Sequence, residues 1–353
     1  PPFVRVAILS DAADFNLTIR GPYKIFTLRT SELLDSGKSL RKTKVMPTEA
    51  GIKIKDKDYK VFGIKIVPQA PGNIYVNNRR FRGELFIIRK ENLKLLVVNN
   101  LDIEEYIKGV LRHEVSHRWP LEVLKAQAVA ARTFAVYQMQ ISAAKDFDVT
   151  SDIYSQVYGG KASETYRTSV AVNRTRGEVL TYKGRIFPAF FHATCGGHTE
   201  DASVLWNINI PPLKGVECKF CVHSPHLKWH KEISLAEAED KLIANGFAIG
   251  GLENIEVTER DASGRALKLK LVAAGDKLEI SGKDFRQIFD PHFIRSTNFQ
   301  IKNSDGKLYI QGIGWGHGVG MCQWGAYAQS LQGRKYDEIL KYYYPGAVVK
   351  NLY

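Results

Sequence analysis

Two groups of residues in this chain have the types and spacing to do chemistry. The first is His113-Glu114-Val115-Ser116-His117. This is HExxH spacing: two histidines one helical turn apart to hold zinc, and a glutamate to activate water. A zinc hydrolase needs a third ligand as well. The extended form of the motif puts a histidine at the position occupied here by Val123, although a later acid such as Glu164 is available. Trp119-Pro120 also ends any helix within a turn of His117, because the residue before proline is pushed out of the helical region. The second group is built on cysteine. The chain has only four, and three of them lie near a histidine: Cys195-Gly-Gly-His198, then Cys218 and Cys221. The spacing C-x2-H…C-x2-C predicts a closed structural zinc site of Cys195, His198, Cys218 and Cys221, with His192 and His223 as substitutes. A disulfide or a redox CxxC are the alternatives. Cys322 reads as a small buried residue, or as a nucleophile with His317 as its base.

Two further stretches are unusual. In "GIGWGHGVGMCQWGA" (312–326) the glycines alternate, so an extended chain would present a bare face with His317 on the other side. That face suits either close packing against protein or a flat ligand such as a sugar. In "SDIYSQVYGG" (151–160) an extended chain puts Tyr154, Gln156 and Tyr158 on one face, where rings beside an amide suit a polyhydroxylated substrate or a half-buried strand.

The elements that must position these residues alternate between strand and helix patterns. Residues 1–100 are short β-rich runs separated by Gly, Pro and Asn. "LDIEEYIKGVLRHEV" switches to helical spacing, and "PLEVLKAQAVAARTFAVYQMQISAA" is an alanine-rich helix opened by Pro120. Strands and turns return over 148–210, a helix follows at 235–247, then a β-meander and a short C-terminal helix. The expected fold is mixed α+β: a β-rich region 1–100, a catalytic core 101–230, an α/β subdomain 231–300, and a closing segment 301–353. The net charge is +13, which favours anionic partners such as nucleic acid, an acidic membrane surface or cell wall. Its densest stretches, "RKTK" (41–44) and "NNRRFRGE" (77–84), read as solvated faces. No zinc-finger, RRM-like or helix-turn-helix pattern supports nucleic acid. No apolar run is long enough to span a membrane. The chain opens at Pro1-Pro2, which is compatible with removal of a signal peptide or anchor.

With these pieces placed, the chain resembles the stage II sporulation protein D (SpoIID) family of peptidoglycan lytic transglycosylases, which is related to amidase-enhancer proteins. The resemblance rests on "LKLLVVNNLDIEEYIKGVLRHEV", "LKAQAVAARTFAV", "SDIYSQVYGG", "RGEVLTYKGRIFPAFFHATCGGHTED", "SGKDFRQIFDPHFIRSTNFQI" and "GIGWGHGVGMCQWGAYAQ". It implies that Glu114 is the catalytic residue, that the HExxH spacing is coincidental, and that Lys125 and Arg132 belong to the site. This sequence departs from the family pattern in the Val115–Trp119 link, often methionine-containing elsewhere, and in Cys322, where serine is common.

The implied reaction cleaves the β-1,4 bond between N-acetylmuramic acid and N-acetylglucosamine without water. The substrate's C6 hydroxyl is the nucleophile, so one carboxyl suffices where ordinary glycosidases use two. Glu114 must start protonated, with Lys125 and Arg132 positioning substrate. Gln156, Tyr158, His317 and Gln323 are expected in the glycan groove. The full reading adds export to the periplasm or the cell-wall side of the membrane and an amidase, division or sporulation partner, with the zinc expected from the cysteine spacing taken as structural. A non-enzymatic wall-binding amidase activator and an HExxH zinc protease are the rival readings.

Overall fold

The computed structural model describes residues 1–70, 73–152 and 155–353; Tyr154 lies outside them. Its helices are α1 (Ile103–Glu114), α2 (Leu121–Ile141), α3 (Tyr166–Arg174), α4 (Ala202–Trp206), α5 (Leu235–Ala244), α6 (Gly282–Ile288), α7 (Gln323–Leu331) and α8 (Tyr336–Tyr343). With several separate sheets, the fold is mixed α+β, as the sequence pattern predicts. The chain forms two compact units, Pro1–Pro188 with Val349–Tyr353, and Ala189–Val348. Among the described residues no helix is long and apolar enough to cross a membrane.

The first unit contains a seven-stranded and a six-stranded sheet. Alternation builds their strands: Phe15, Leu17 and Ile19 are buried while Asn16 and Thr18 are only half-buried. The strand Leu95–Asp102 is different, with Leu95 through Asn99 all buried, the pattern of a strand covered on both faces. It pairs with Phe3–Ala12 on one side and Glu84–Arg89 on the other.

That strand runs directly into α1. Asp102 caps the helix by accepting a hydrogen bond from the Glu104 amide at 2.7 Å, and Glu104 and Glu105 supply the acidic first turn. The stripe Ile103, Tyr106, Ile107, Val110 and Leu111 is buried. The helix stops at Glu114 because Val115 is extended, with φ −140° and ψ 153°. Pro120 then caps α2, which is buried almost all round from Val123 to Val136. A short 3-10 turn, Gly160–Ser163, and α3 pack against α1.

The second unit has its own core, in which Leu242, Leu269, Leu271, Phe285, Phe289, Leu308 and Ile310 are fully buried. It contains the sheet Lys228–Ser234, Lys307–Ile313, Phe299–Ser304 and the meander Leu252–Arg260, Ala266–Ala273, Asp276–Ser281.

The glycine-rich stretch is not the extended face its alternation suggests. The strand ends at Ile313, and Gly314, Gly316, Gly318 and Gly320 all have positive φ, at 84°, 112°, 91° and 73°. Their open sides face protein. A methyl on Gly316 would stand 2.7 Å from His192 Cβ, and one on Gly318 would stand 2.7 Å from the Arg265 guanidinium. That guanidinium is fixed by bonds to the Cys195 and His198 carbonyls at 2.7 and 2.9 Å. The glycines therefore serve packing and backbone conformation, not a bare sugar face. Gly316→Ala and Gly318→Ala should each destabilise by about 2–4 kcal/mol, combining left-handed strain with overpacking. A melting temperature within a degree or two of wild type for both variants would show that the stretch tolerates side chains.

Candidate active site and metal centre

Glu114 occupies the last position of α1 and is half-buried. Its carboxyl forms no hydrogen bond or ion pair with any described residue. Burial pushes its pKa up from 4.5 to about 7. The adjacent Val115 is buried. A half-protonated carboxyl at neutral pH is the state a group needs to give and take one proton.

The residues expected around it divide into two kinds. Lys125 keeps some exposure and pairs with Glu122 at 2.7 Å, one turn back on α2. Arg132 is 0% exposed. Its Nε and Nη2 hold Glu104 from both prongs, at 2.9 and 2.7 Å, and Nη1 donates to the Glu178 carbonyl. Arg132 therefore has no free surface to offer a glycan; it fastens α1 to α2. Gln156 and Tyr158 are likewise internal, each 1% exposed. The Tyr106 hydroxyl donates to Gln156 Oε1 at 3.1 Å, and the Tyr158 hydroxyl donates to Asn99 Oδ1 at 2.9 Å. The Tyr158 ring lies on α1 where Gly109 leaves room, and Gly159 donates to the Gly109 carbonyl at 3.2 Å. The "SQVYGG" motif thus supports the helix from beneath instead of lining a groove.

The HExxH spacing breaks up in three dimensions. His117 stands in the turn after the helix, so it does not share a face with His113. His113 Nε2 is 2.6 Å from the Ser163 hydroxyl, and no metal-capable grouping among the described residues includes either histidine. The two histidines thus do not form the paired metal ligands that the zinc-protease reading requires. Arg167 of α3 holds that turn by donating to the His117 and Trp119 carbonyls at 3.0 and 2.9 Å.

Of the remaining expected groove residues, both are in the second unit. His317 is partly exposed, accepts from the Val319 amide at Nδ1 (3.1 Å) and meets the Trp206 ring at 5.1 Å between centroids. Gln323 is buried in the first turn of α7.

The cysteines gather, with a different fourth member. The sulfurs of Cys195, Cys218, Cys221 and Cys322 all lie within 4.8 Å of one another; all four residues are buried and none is in a disulfide. His198 is not among them; its Nδ1 is 2.6 Å from the Thr199 carbonyl oxygen. His192 and His223 are not in the group either. Cys322 comes from the strand Met321–Cys322, which pairs with Phe191–His192 and so brings it to Cys195. The donor set fits a tetrahedral thiophilic ion, whose ligands sit about 2.3 Å from the metal. Hydrogen bonds aimed at the sulfurs fit it too: the Cys195 and Gly325 amides donate to Cys322 Sγ at 3.3 Å, and Tyr343 Oη is 3.2 Å from Cys218 Sγ.

Residues 91–182, which hold α1, α2 and Glu114, match the family model described as stage II sporulation protein, SpoIID. Stage II sporulation protein D of Bacillus subtilis is 32% identical over 267 residues, 71% of this chain and 75% of its own length. The chain belongs to the SpoIID family. An uncharacterized protein of Brachyspira hyodysenteriae is 37% identical over 345 residues, 97% of this chain and 91% of its own. The amidase enhancer of Bacillus subtilis is 27% identical over 294 residues, but these are only 40% of its length. Residues 221–320 match a domain of unknown function, DUF8618.

Removing one partner of the Glu104–Arg132 pair leaves an uncompensated buried charge. Arg132→Ala should therefore lower stability by about 3–5 kcal/mol, and Arg132→Lys should recover little, because an ammonium cannot reproduce the two-pronged bond. Denaturant midpoints of the two variants check this. Wild-type stability for Arg132→Ala would return the residue to the substrate side.

Proposed function

We propose that this SpoIID-family protein acts on the bacterial cell wall as a peptidoglycan lytic transglycosylase. The observation that carries the reading is the lone, partly buried Glu114 carboxyl, raised to about 7 with no cation paired to it. As a general acid it donates its proton to the glycosidic oxygen while the bond from C1 of N-acetylmuramic acid breaks. The resulting carboxylate takes the proton of the same sugar's C6 hydroxyl as O6 bonds to C1, which leaves a 1,6-anhydro end and restores the acid. Lys125 is the residue of the expected set that retains exposure beside α2's first turn, and we assign it to positioning substrate or stabilising developing charge. The exported location and a wall-associated partner belong to the same reading.

The Cys195, Cys218, Cys221 and Cys322 group is assigned a structural zinc, closed to water and outside the reaction. It ties the 195–198 loop, the 218–221 loop and α7 together, and metal binding of this kind contributes folding free energy. Cys322→Ser should lose bound zinc and melting temperature together, whereas His198→Ala should keep the metal. Zinc retained by Cys322→Ser, read by elemental analysis, would contradict the ligand set.

Glu114→Gln should abolish anhydro ends on purified glycan, read by mass spectrometry, because the amide is isosteric but transfers no proton. A loss of only a few-fold would sink the assignment. Wild-type turnover should fall as pH rises through about 7, because only the protonated carboxyl starts the reaction. Stability should follow the same group. Its pKa is raised on folding, so its contribution is full below 4.5 and is lost as pH climbs through about 7. The loss is at most about 3 kcal/mol, less for a partly exposed carboxyl. Glu114→Gln should lack this pH dependence. Similarity to the amidase enhancer favours a second reading, a non-enzymatic activator, and wild-type protein that leaves no anhydro ends would support it.

A further inference from the structure

The basic stretch "NNRRFRGE" is not simply a solvated face, because it stands against the element that carries Glu114. Ile74–Val76 and Arg79–Phe81 form a hairpin turned at Asn77 and Asn78, both with positive φ (48° and 67°), as a two-residue hairpin turn requires. From it the Arg79 guanidinium reaches the Tyr158 carbonyl at 2.9 Å. A methyl on Gly160 would stand 2.6 Å from the Arg80 carbonyl, and Gly159 is in turn pressed against the His113 ring. Hairpin, 3-10 turn and the end of α1 therefore adjoin, and they bring together Arg79, Arg80, Lys161 and Arg112.

The acids nearby are already committed. Arg82 takes Glu164 at 2.6 Å and Glu105 at 2.8 Å, and Glu105 also pairs with Lys108 at 2.9 Å. Arg79, Arg112 and Lys161 form no ion pair with any described residue. Their crowding is felt by neighbours. Burial lowers the His113 pKa, and Arg112 and Arg79 lower it further; burial, Arg82 and Arg80 do the same to Lys161. Glu164 and Glu105 offset part of this at Lys161, but the cations outnumber the acids here, and a bound anion relieves the remaining repulsion.

We infer that Arg79, Lys161 and Arg112 form a carboxylate-binding subsite at the Glu114 end of α1, on the His113 side of the helix, which holds acidic groups along a peptidoglycan strand. The inference rests on the glycan reading above and names what part of the substrate is recognised. N-acetylmuramic acid carries a lactyl carboxyl, free where the stem peptide has been removed; where the peptide is present it brings carboxylates of its own. Either way an anion recurs at each N-acetylmuramic acid along the strand, and guanidinium is suited to hold it. The hairpin lies outside the segment that matches the family model.

The test is binding, kept separate from cleavage by using Glu114→Gln protein. Insoluble glycan, with or without stem peptides, is offered either intact or after conversion of its carboxyls to neutral amides, and bound protein is measured by sedimentation at low and high salt. Intact strands should bind about tenfold more tightly than amidated ones at low ionic strength, with the difference shrinking as salt screens it. Adding Arg79→Gln, Arg112→Gln and Lys161→Gln together should remove that tenfold advantage, and the exposed Arg112→Gln alone should remove part of it without affecting melting temperature. An advantage on peptide-free strands assigns the lactyl group; one confined to peptide-bearing strands assigns the stem peptide. Equal binding of intact and amidated glycan, or an undiminished advantage in the folded triple variant, would overturn the subsite. Neither result would touch the cleavage reading, which stands on anhydro ends.

Discussion

A carboxyl that is to give up a proton near neutral pH must be kept both from water and from cations. In this chain the constraint is met at Glu114 by its place in the fold. The residue closes α1, its neighbour Val115 turns the backbone into an extended conformation and into the core, and no described cation pairs with its oxygens. Burial alone raises its pKa. A basic residue moved within ion-pair distance would reverse the shift, holding the group ionised and useless as an acid.

Such a position is only as fixed as the helix that ends there, and α1 is fastened along its length. At its first turn burial would raise the pKa of Glu104, yet Arg132 holds it below the ordinary range, with the Tyr353 hydroxyl and the Gly177 amide adding bonds. In the middle, Gly109 admits the Tyr158 ring, and the Tyr106 and Tyr158 hydroxyls are tied to Gln156 and Asn99. At its last turn His113 reaches Ser163. Residues with polar or aromatic groups suited to sugar recognition thus act here on the helix, and through it on Glu114. The basic hairpin packs on the same 3-10 turn that holds His113, so α1 and the cations share one support.

Much of this architecture was legible from periodicity. Phe15, Leu17 and Ile19 alternate as a half-buried strand should, and of the stripe Ile103, Ile107, Val110, Leu111 and Val115 that the spacing predicts, the first four are buried on α1 while Val115 lies just past its end. Periodicity did not say where the helix would stop, which is a property of Val115's backbone. It also identifies a face without saying what covers it, and for that reason Gln156 and Tyr158 read equally well as groove or core. α3 escaped notice because its Thr, Ser and Val residues are weak helix formers; the reciprocal Thr165–Thr168 capping box compensates. Alternate glycines suggested a strand, but positive φ at four of them is a demand of close packing that spacing alone does not reveal. Local spacing likewise pointed to His198 as the fourth metal ligand, whereas Cys322 is brought in from far along the chain by a parallel strand pair.

Catalysis by Glu114 depends on one protonation equilibrium, and that equilibrium can be read directly. Carbon-13 NMR of carboxyl-labelled glutamate, followed against pH in wild type and identified by the signal missing from Glu114→Gln, reports the Glu114 pKa itself. One glutamate signal titrating near 7 should be present in wild type and missing from the variant, distinct from Glu200, whose carboxyl burial and the neighbouring Asp261 push up to about 8. A Glu114 signal that titrates in the ordinary range near 4.5 would contradict its role as the acid, since the group would then be ionised before any substrate arrived.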